Sequence, residues 1–527
     1  MIWFCNIVKI TKIEMGDVME NLVQTLNDFF WGPWFIYGIM AVGVLFTVLT
    51  KVVQVRRIKD MFVLMFKGNK SEKGISSFQA LSIALSGRVG TGNIAGTATA
   101  IGMGGPGAVF WMWLIAFIGA ATAYVESTLA QIYKEEKETE YRGGPAFYIE
   151  KGMGQKWFAV IFAVAALLAM LILMPGVQSN AIAGAMNNAF SIDMWITGAI
   201  IAVLLGVIII GGVRWIANAA QVIVPFMALA YILMALIIVL MNIGEVPNVF
   251  KLIFSSAFGA NEIFGGIIGS AIAWGVKRGI YSNEAGQGTG AHPAAAAEVS
   301  HPAKQGLVQA ASVYIDTLLI CSATAFMILF TGMFNVHDEK ADPVTVTTLE
   351  QKEIKIQPTI FVGEFGKEDY TGDEQISFAQ SIKEGAAYTQ YAVDESLPGF
   401  GGPFVAIALF FFAFTTIMAY YYIAETNVAY LFSGQAEKIG IWIAKIAIIA
   451  AAFYGTIRES DLAWAMGDVG LGLMVWINVI AILIIMKPAL VALKDYDKQR
   501  KEGKDPVFDP KALGIKNADF WERRNKK

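Results

Sequence analysis

Apolar residues in this chain arrive in long blocks separated by short polar stretches. Eleven such blocks lie near 34–50, 78–101, 107–133, 157–180, 194–211, 218–242, 262–284, 306–334, 400–424, 437–457 and 470–486. A hydrocarbon core of roughly 30 Å is crossed by about 20 apolar residues in helix, so each block reads as a membrane span. The fold class predicted is an all-α membrane protein with eleven spans.

Two blocks differ from the rest. The second reads LSIALSGRVGTGNIAGTATAI, with glycines at 87, 90, 92 and 96 and with Arg88 and Asn93 among them. The seventh, GGIIGSAIAWGVKRGIYSNEAGQGTGAHP, carries glycines through its middle and then Lys277, Arg278, Asn283 and Glu284. Each glycine costs a helix about 1 kcal/mol relative to alanine, so both stretches are expected to unwind. Unwound backbone at membrane depth survives only where it lines a cavity or is buried in protein. Its free amides can hold a carboxylate, and its free carbonyls a cation. Gly-x-x-x-Gly spacing can also serve close helix packing alone. The two blocks stand five spans apart, however, and broken helices at matching places in two halves point to an inverted-repeat transporter. The expected organisation is an interfacial lead-in (1–30), an extra span (31–51), a first repeat of five helices (78–242), a second (262–486) with an insertion at 335–399, and a tail (487–527).

Orientation follows from basic residues in the loops. Lys51, Arg56, Arg57, Lys59, Lys67, Lys70 and Lys73 follow the first span, and Lys134, Lys137, Arg142, Lys151 and Lys156 follow the third. The tail adds Lys487, Lys494, Lys498, Arg500 and Lys501. With eleven spans these segments share one side, expected to be cytoplasmic, in a plasma (inner) membrane with the N-terminus outside. The insertion falls on the other side and is acidic: Asp338, Glu339, Asp342, Glu364, Glu368, Asp369, Asp373 and Glu374. The first residues lack a signal-peptide pattern.

Composition narrows the function. Hydrophobic residues are 56% and charged residues 16% of the chain, against roughly 25% charged in soluble domains. The net charge of −3 carries no basic stripe for nucleic acid. Cys5 and Cys321 suggest no disulfide framework, and His292, His301 and His337 have no metal-ligand spacing. Gly90-x-Gly92-x-x-Ala95 neither follows a soluble strand nor sits in a βαβ unit, and no ATP-binding loop is present. No cofactor and no enzymatic constellation is predicted.

Polar residues inside the spans are the candidates for chemistry, because charge at the bilayer centre costs roughly 2.5–3.5 kcal/mol. Arg88 and Glu126 are expected to pair, as a gate or as a structural lock. Lys277, Arg278 and Glu284 are expected to close the cytoplasmic mouth. Thr415 and Thr416 offer adjacent hydroxyls, the oxygen ligands a hard cation prefers, although such hydroxyls also bond back to the preceding turn. Gln178, just after Pro175 and Gly176, is expected to turn inward at a kink. A channel would need a continuous polar stripe or rings of like charge. A sensor that binds without transport stays open at this level.

The stretches GRVGTGNIAGTATAI (87–101), GGPGAVFWMW (104–113), GGPAFYIEKGMG (143–154) and GVKRGIYSNEAGQGTGAHPAAAA (275–297) resemble the alanine/glycine:cation symporters, or sodium:alanine symporters, and the likeness runs from about Trp31 to Lys487. It implies a LeuT-type core of five-plus-five inverted repeats and sodium-coupled symport of alanine or glycine by alternating access, with proton-coupled or exchange-mode carriage of other small neutral amino acids as the alternative; separately, action as a monomer is expected. By the same likeness the substrate would meet Gly90, Thr91, Gly92, Asn93, Gln178, Trp274, Gly275 and Tyr420, with Trp274 and Tyr420 limiting the side chain. Sodium would meet Thr415, Thr416 and the carbonyls of Ser86, Val89 and Phe412. The chain departs from the family pattern at Gly288–Pro293 and at Met174-Pro175-Gly176, and the latter adjoins the expected pocket.

Overall fold

The computed structural model describes residues 21–67, 73–137, 140–338, 341, 344–347, 353–356, 358–364, 382–458 and 460–525. The expectations for residues 1–20, for Lys70 and for Glu339, Asp342, Glu368, Asp369, Asp373 and Glu374 lie outside these.

In chain order the principal helices are α1 (Pro33–Leu49), α2 (Ser77–Arg88), α3 (Thr97–Gly104), α4 (Gly107–Ile132), α5 (Lys156–Phe190), α6 (Met194–Ile210), α7 (Gly212–Met241), α8 (Val246–Ala257), α9 (Ile268–Asn283), α10 (Ala291–Ala296), α11 (Pro302–Thr331), α12 (Ala386–Ser396), α13 (Gly401–Leu431), α14 (Gly434–Thr456), α15 (Ser460–Lys501) and α16 (Asp519–Arg524). Eight helices among the described residues are long and apolar enough to cross a bilayer, and α6 is a shorter apolar one. Among the described residues the pairs α2/α3 and α9/α10 are each interrupted by a non-helical stretch. Four unbroken crossings follow each broken one.

Rows of apolar side chains point outward: Val203, Val207 and Ile210 on α6, Phe226, Leu229 and Leu233 on α7, and Ile439, Ile443 and Ile446 on α14. Such rows are the lipid face of a multi-pass membrane protein. The inner faces are built from small residues. Within the core α4 packs on α9, α10 and α11, while α5 packs on α13 and α14. The first broken span packs on both sides, with α2 against α7 and α13 and α3 against α9.

Two spans extend well beyond their hydrophobic blocks. The block at 157–180 becomes the 35 residues of α5, and that at 470–486 becomes the 42 of α15, which kinks at Ile485 (φ −106, ψ 17) ahead of Pro488.

The three basic segments meet on one face. Arg56 and Arg57 pair with Asp497, Arg500 with Asp60, and Lys151 with Asp519. The described residues of the insertion (335–399) form two strand pairs and a helix. Its strand Asn335–His337 pairs antiparallel with Thr359–Val362, and Val344–Thr347 pairs with Glu353–Ile356. Its helix α12 packs along α13 and over α3, where a Cβ on Gly102 would come 2.7 Å from Glu384.

Candidate functional site

Helix α2 starts at a capping box: the Ser76 hydroxyl accepts from Gln79 N (3.2 Å) while the Gln79 side chain accepts from Ser76 N (3.1 Å). It ends at Arg88. Val89 leaves the helical path (φ −78, ψ 88), Gly90 follows, and the chain re-enters through a π-turn at Gly92–Gly96. Two amides freed by this break are held by side chains. Gly90 N donates to Asn93 Oδ1 (2.8 Å) and Thr91 N donates to Gln178 Oε1 (3.0 Å). These amide oxygens occupy positions that a substrate carboxylate could fill.

On the other side of the break the carbonyls of Ser86 (2.9 Å), Val89 (3.4 Å) and Phe412 (3.0 Å) all face the Thr416 hydroxyl. The Thr415 hydroxyl donates to Phe412 O (2.9 Å). A hydroxyl has one hydrogen, so Thr416 serves one of its three carbonyls at a time. The others present lone pairs to the same place, an arrangement suited to a small hard cation. The five residues expected from the sequence to hold sodium are thus brought together. Glycine at position 90 is required by this proximity, since a Cβ would strike the Thr416 hydroxyl and lie 2.9 Å from Gln178 Oε1.

Gln178 reaches the break because of Pro175. The π-turn Ala169–Leu173 precedes the proline, with Met174 N donating to Ala169 O (2.9 Å). Proline lacks the amide that would continue the ladder, and the widened turn absorbs the misfit. Gln178 is buried as a result and donates to the Tyr420 hydroxyl (3.4 Å). Tyr281 completes this wall: a Cβ on Gly92 would come 3.1 Å from its ring. Its ring packs on Trp464 at 5.2 Å. The sequence reading passed over Tyr281. Its signal was a polar aromatic three residues before Glu284, where α9 ends.

The second break is not where the glycine run placed it. Helix α9 continues unbroken through Gly275 to Asn283, and the chain is non-helical from Glu284 to Gly290. Gly286 (φ +86) and Gly288 (φ +83) adopt left-handed backbone there, as does Glu284 (φ +56). Gly275 instead packs on α4, where a Cβ would lie 2.6 Å from Trp111 Cβ. Trp274 lies in an outer cavity and not at the break, with its ring 5.2 Å from Lys277 Nζ and 5.1 Å from the Arg278 guanidinium.

The charged residues are also rearranged. Arg88 and Glu126 form no ion pair. Arg88 donates to the Ser312 hydroxyl and to Gln309 O (3.3 Å), while Glu126 accepts from Gly288 N (3.0 Å) and Asn478 Nδ2 (2.9 Å). Lys277 and Arg278 both pair with Asp468, at 2.7 and 3.0 Å, and Lys277 also reaches Asn27 (3.4 Å). They therefore lie toward the face that carries the insertion, opposite to the basic segments. Glu284 sits at the break itself, accepting from Thr289 (2.7 Å). The physical reason is one shift: because α9 runs to Asn283, residues 277–278 lie before the break and not at its far end. A cavity of about 550 Å³ opens above the Lys277/Arg278–Asp468 cluster, lined by Asn27, Trp31, Trp274, Asp461 and Trp464.

Two interrupted helices facing each other, with freed backbone groups between them, are the architecture of a carrier. The chain matches the sodium:alanine symporter family over residues 16–362 and 372–510. It belongs to that family. Among its relatives, the putative sodium/proton-dependent alanine carrier protein YrbD of Bacillus subtilis is 62% identical, over 96% of this chain and 98% of YrbD. The sodium/proton-dependent alanine carrier protein of Bacillus sp. PS3 is 52% identical, over 89% and 98%. The sodium/alanine symporter AgcS of Methanococcus maripaludis is 36% identical, over 91% and 98%. Of solved structures, MhsT in complex with L-phenylalanine aligns at 13% identity over 80% of this chain and 100% of that one, with a TM-score of 0.48. This family member is accordingly a multi-pass, cation-coupled carrier and not an enzyme.

Proposed function

We propose that the protein imports alanine, and glycine, together with sodium by alternating access across the inner membrane, with the insertion outside and the tail in the cytoplasm. The single observation that carries this reading is the break at Val89–Gly90. It turns two amides toward Gln178 and Asn93 on one side and two carbonyls toward Thr416 on the other. A substrate carboxylate would displace the side-chain oxygens from Gly90 N and Thr91 N. Sodium would sit among Ser86, Val89, Phe412, Thr415 and Thr416, one backbone turn away. Occupation of either site orders the same few residues, which is how one ligand favours the other. Tyr420 and Tyr281 stand beside Gln178 and would limit the substrate to a short side chain. The Lys277/Arg278–Asp468 cluster is the outer closure of this pathway.

The energetics suffice. A potential of 100 mV supplies about 2.3 kcal/mol per charge, and a tenfold sodium gradient about 1.4 kcal/mol. Together they support roughly 500-fold accumulation at one sodium per substrate. Uptake of labelled alanine by proteoliposomes with and without an inward sodium gradient tests the proposal. Sodium-driven accumulation is expected. Flux indifferent to the gradient indicates a pore, binding without flux a sensor, and accumulation driven by a pH gradient alone proton coupling.

A further inference from the structure

On the lipid face of the bundle, α5, α14 and the start of α15 part around a crevice of about 310 Å³. Its walls are Ile172 and Leu173 of α5, Ala450 and Ala451 of α14, and Leu462 and Met466 of α15. Gly176 and Gly455 also line it, and their backbones touch: a Cβ on Gly455 would strike the Gly176 Cα. Neither helix offers a side chain at that point. Ile172 and Tyr454 stand half-exposed at the rim. Apolar cavities stay dry and accept apolar guests. On a surface turned to hydrocarbon the guest at hand is an acyl chain.

Among the described residues of the lining only Arg458 is charged. It stands two residues past the end of α14, with its guanidinium 4.5 Å from the centre of the Tyr454 ring. Its backbone is fixed, since its carbonyl accepts from Asn180 Nδ2 (2.8 Å) and its amide donates to Gly455 O (3.3 Å). Among the described residues its guanidinium forms no ion pair, and Asp461, three residues on, is taken by Lys383 (3.2 Å). An arginine so placed presents a fork of donors that matches a phosphate. A free cation at the rim of an apolar slot therefore fits a lipid whose headgroup carries net negative charge. A second crevice, of about 180 Å³ between α7 and α13, is walled by Phe226, Phe404 and Phe411 and has no charged residue among those described. Any acyl chain suits that one, and nothing there chooses a headgroup.

We propose that the crevice between α5, α14 and α15 binds a phospholipid with an anionic headgroup, its acyl chain between the helices and its phosphate on Arg458. The bound chain lies against Gly176, on the outer side of the turn that aims Gln178 at the Thr91 amide. It braces that turn and so favours the arrangement that receives alanine. The bracing rests on the carrier reading above; the binding does not.

The test is native mass spectrometry of the full-length protein, delipidated in detergent and titrated with phosphatidylglycerol or phosphatidylcholine. Basic side chains at the other ends of the helices also attract anionic lipid, so the reading is the difference between wild type and variant. Arg458→Gln is expected to bind phosphatidylglycerol about tenfold more weakly at one site, the worth of a hydrogen bond to a charged group, and phosphatidylcholine as before. Ala451→Phe, which fills the crevice and leaves the arginine, should lose the same lipid, and it decides the matter should Arg458→Gln fail to fold. Equal retention of phosphatidylglycerol by wild type and variants overturns the proposal, even if Arg458→Gln melts earlier, since an arginine that merely caps α14 would have that effect. Oleate held at the site in preference to phosphatidylglycerol overturns it too, because the occupant would then be a free fatty acid. In vesicles, adding phosphatidylglycerol to phosphatidylcholine should lower the alanine concentration for half-maximal uptake several-fold in the wild type and not in Arg458→Gln. The same lowering in both overturns the bracing. Absence of uptake in every vesicle removes the carrier reading and the bracing with it, while the lipid titration still decides the site.

Discussion

In the first broken span only Val89 and Gly90 leave the helical path, whereas in the second the seven residues Glu284–Gly290 do. Both spans are rich in glycine, but the glycines serve different ends. Gly90 is needed because Thr416 and Gln178 approach its Cα from the next helices. Gly286 and Gly288 are needed for left-handed backbone. Gly275 and Gly279 of the same span are needed for neither, and let α9 lie close against α4. A glycine run therefore announces that something unusual happens in a span without saying whether it is a break, a ligand contact or a close crossing.

Substitutions can separate these roles. The largest effect is expected from Gly90→Ala, whose Cβ would intrude between Thr416 and Gln178. Overpacking of about 1–3 kcal/mol at the shared site should weaken sodium and alanine binding together, by up to roughly 100-fold. Half-saturation constants for uptake measure it, and unchanged values would show that the break is not the binding site. Next, Thr416→Ala should raise the sodium concentration for half-maximal uptake by about tenfold, the worth of a hydrogen bond to a charged group. Gln178→Ala should act on alanine instead. Equal effects of the two on sodium would remove the division of the break into an amide side and a carbonyl side.

Gly275→Ala should lower thermal stability in detergent by an amount equivalent to about 1–3 kcal/mol, through its clash with α4. Its sodium requirement should stay as it was. A shifted sodium requirement would mean that the packing glycines and the breaking glycines are not separable. The smallest effect is expected from Trp274→Phe. Trp274 lies in the outer cavity, so competition by larger amino acids should change by less than about twofold, the limit of a surface-type contact of ±0.5 kcal/mol. Broadened selectivity would place Trp274 back at the substrate.

The sequence carried the first break well, because Ser86, Val89, Gly90 and Asn93 are neighbours in the chain and the local signal coincides with the site. It also pointed to Thr415, Thr416 and Gln178 one by one, as polar groups in apolar helices. It did not reveal that Gln178 Oε1 lies on Thr91 N, a contact across 87 residues. It missed Asp468, the partner of Lys277 and Arg278 from a span 190 residues away, and so sent that pair to the wrong face. The Arg88–Glu126 pairing failed for a related reason. Opposite charges in two spans suggest a pair, but Asn478 and Gly288 reached Glu126 first.

The sequence alone determined that this is an all-α membrane protein, since runs of about twenty apolar residues have no other stable environment. It determined too which two spans are rich in glycine, but not where either would break, since glycine weakens a helix wherever it sits. Where the second break falls, which carboxylates lack a counter-ion and which carbonyls converge on Thr416 were decided by tertiary structure. Those outcomes depend on distances between helices, and a linear pattern of residue types holds no information on which neighbour arrives at a freed amide or a buried charge.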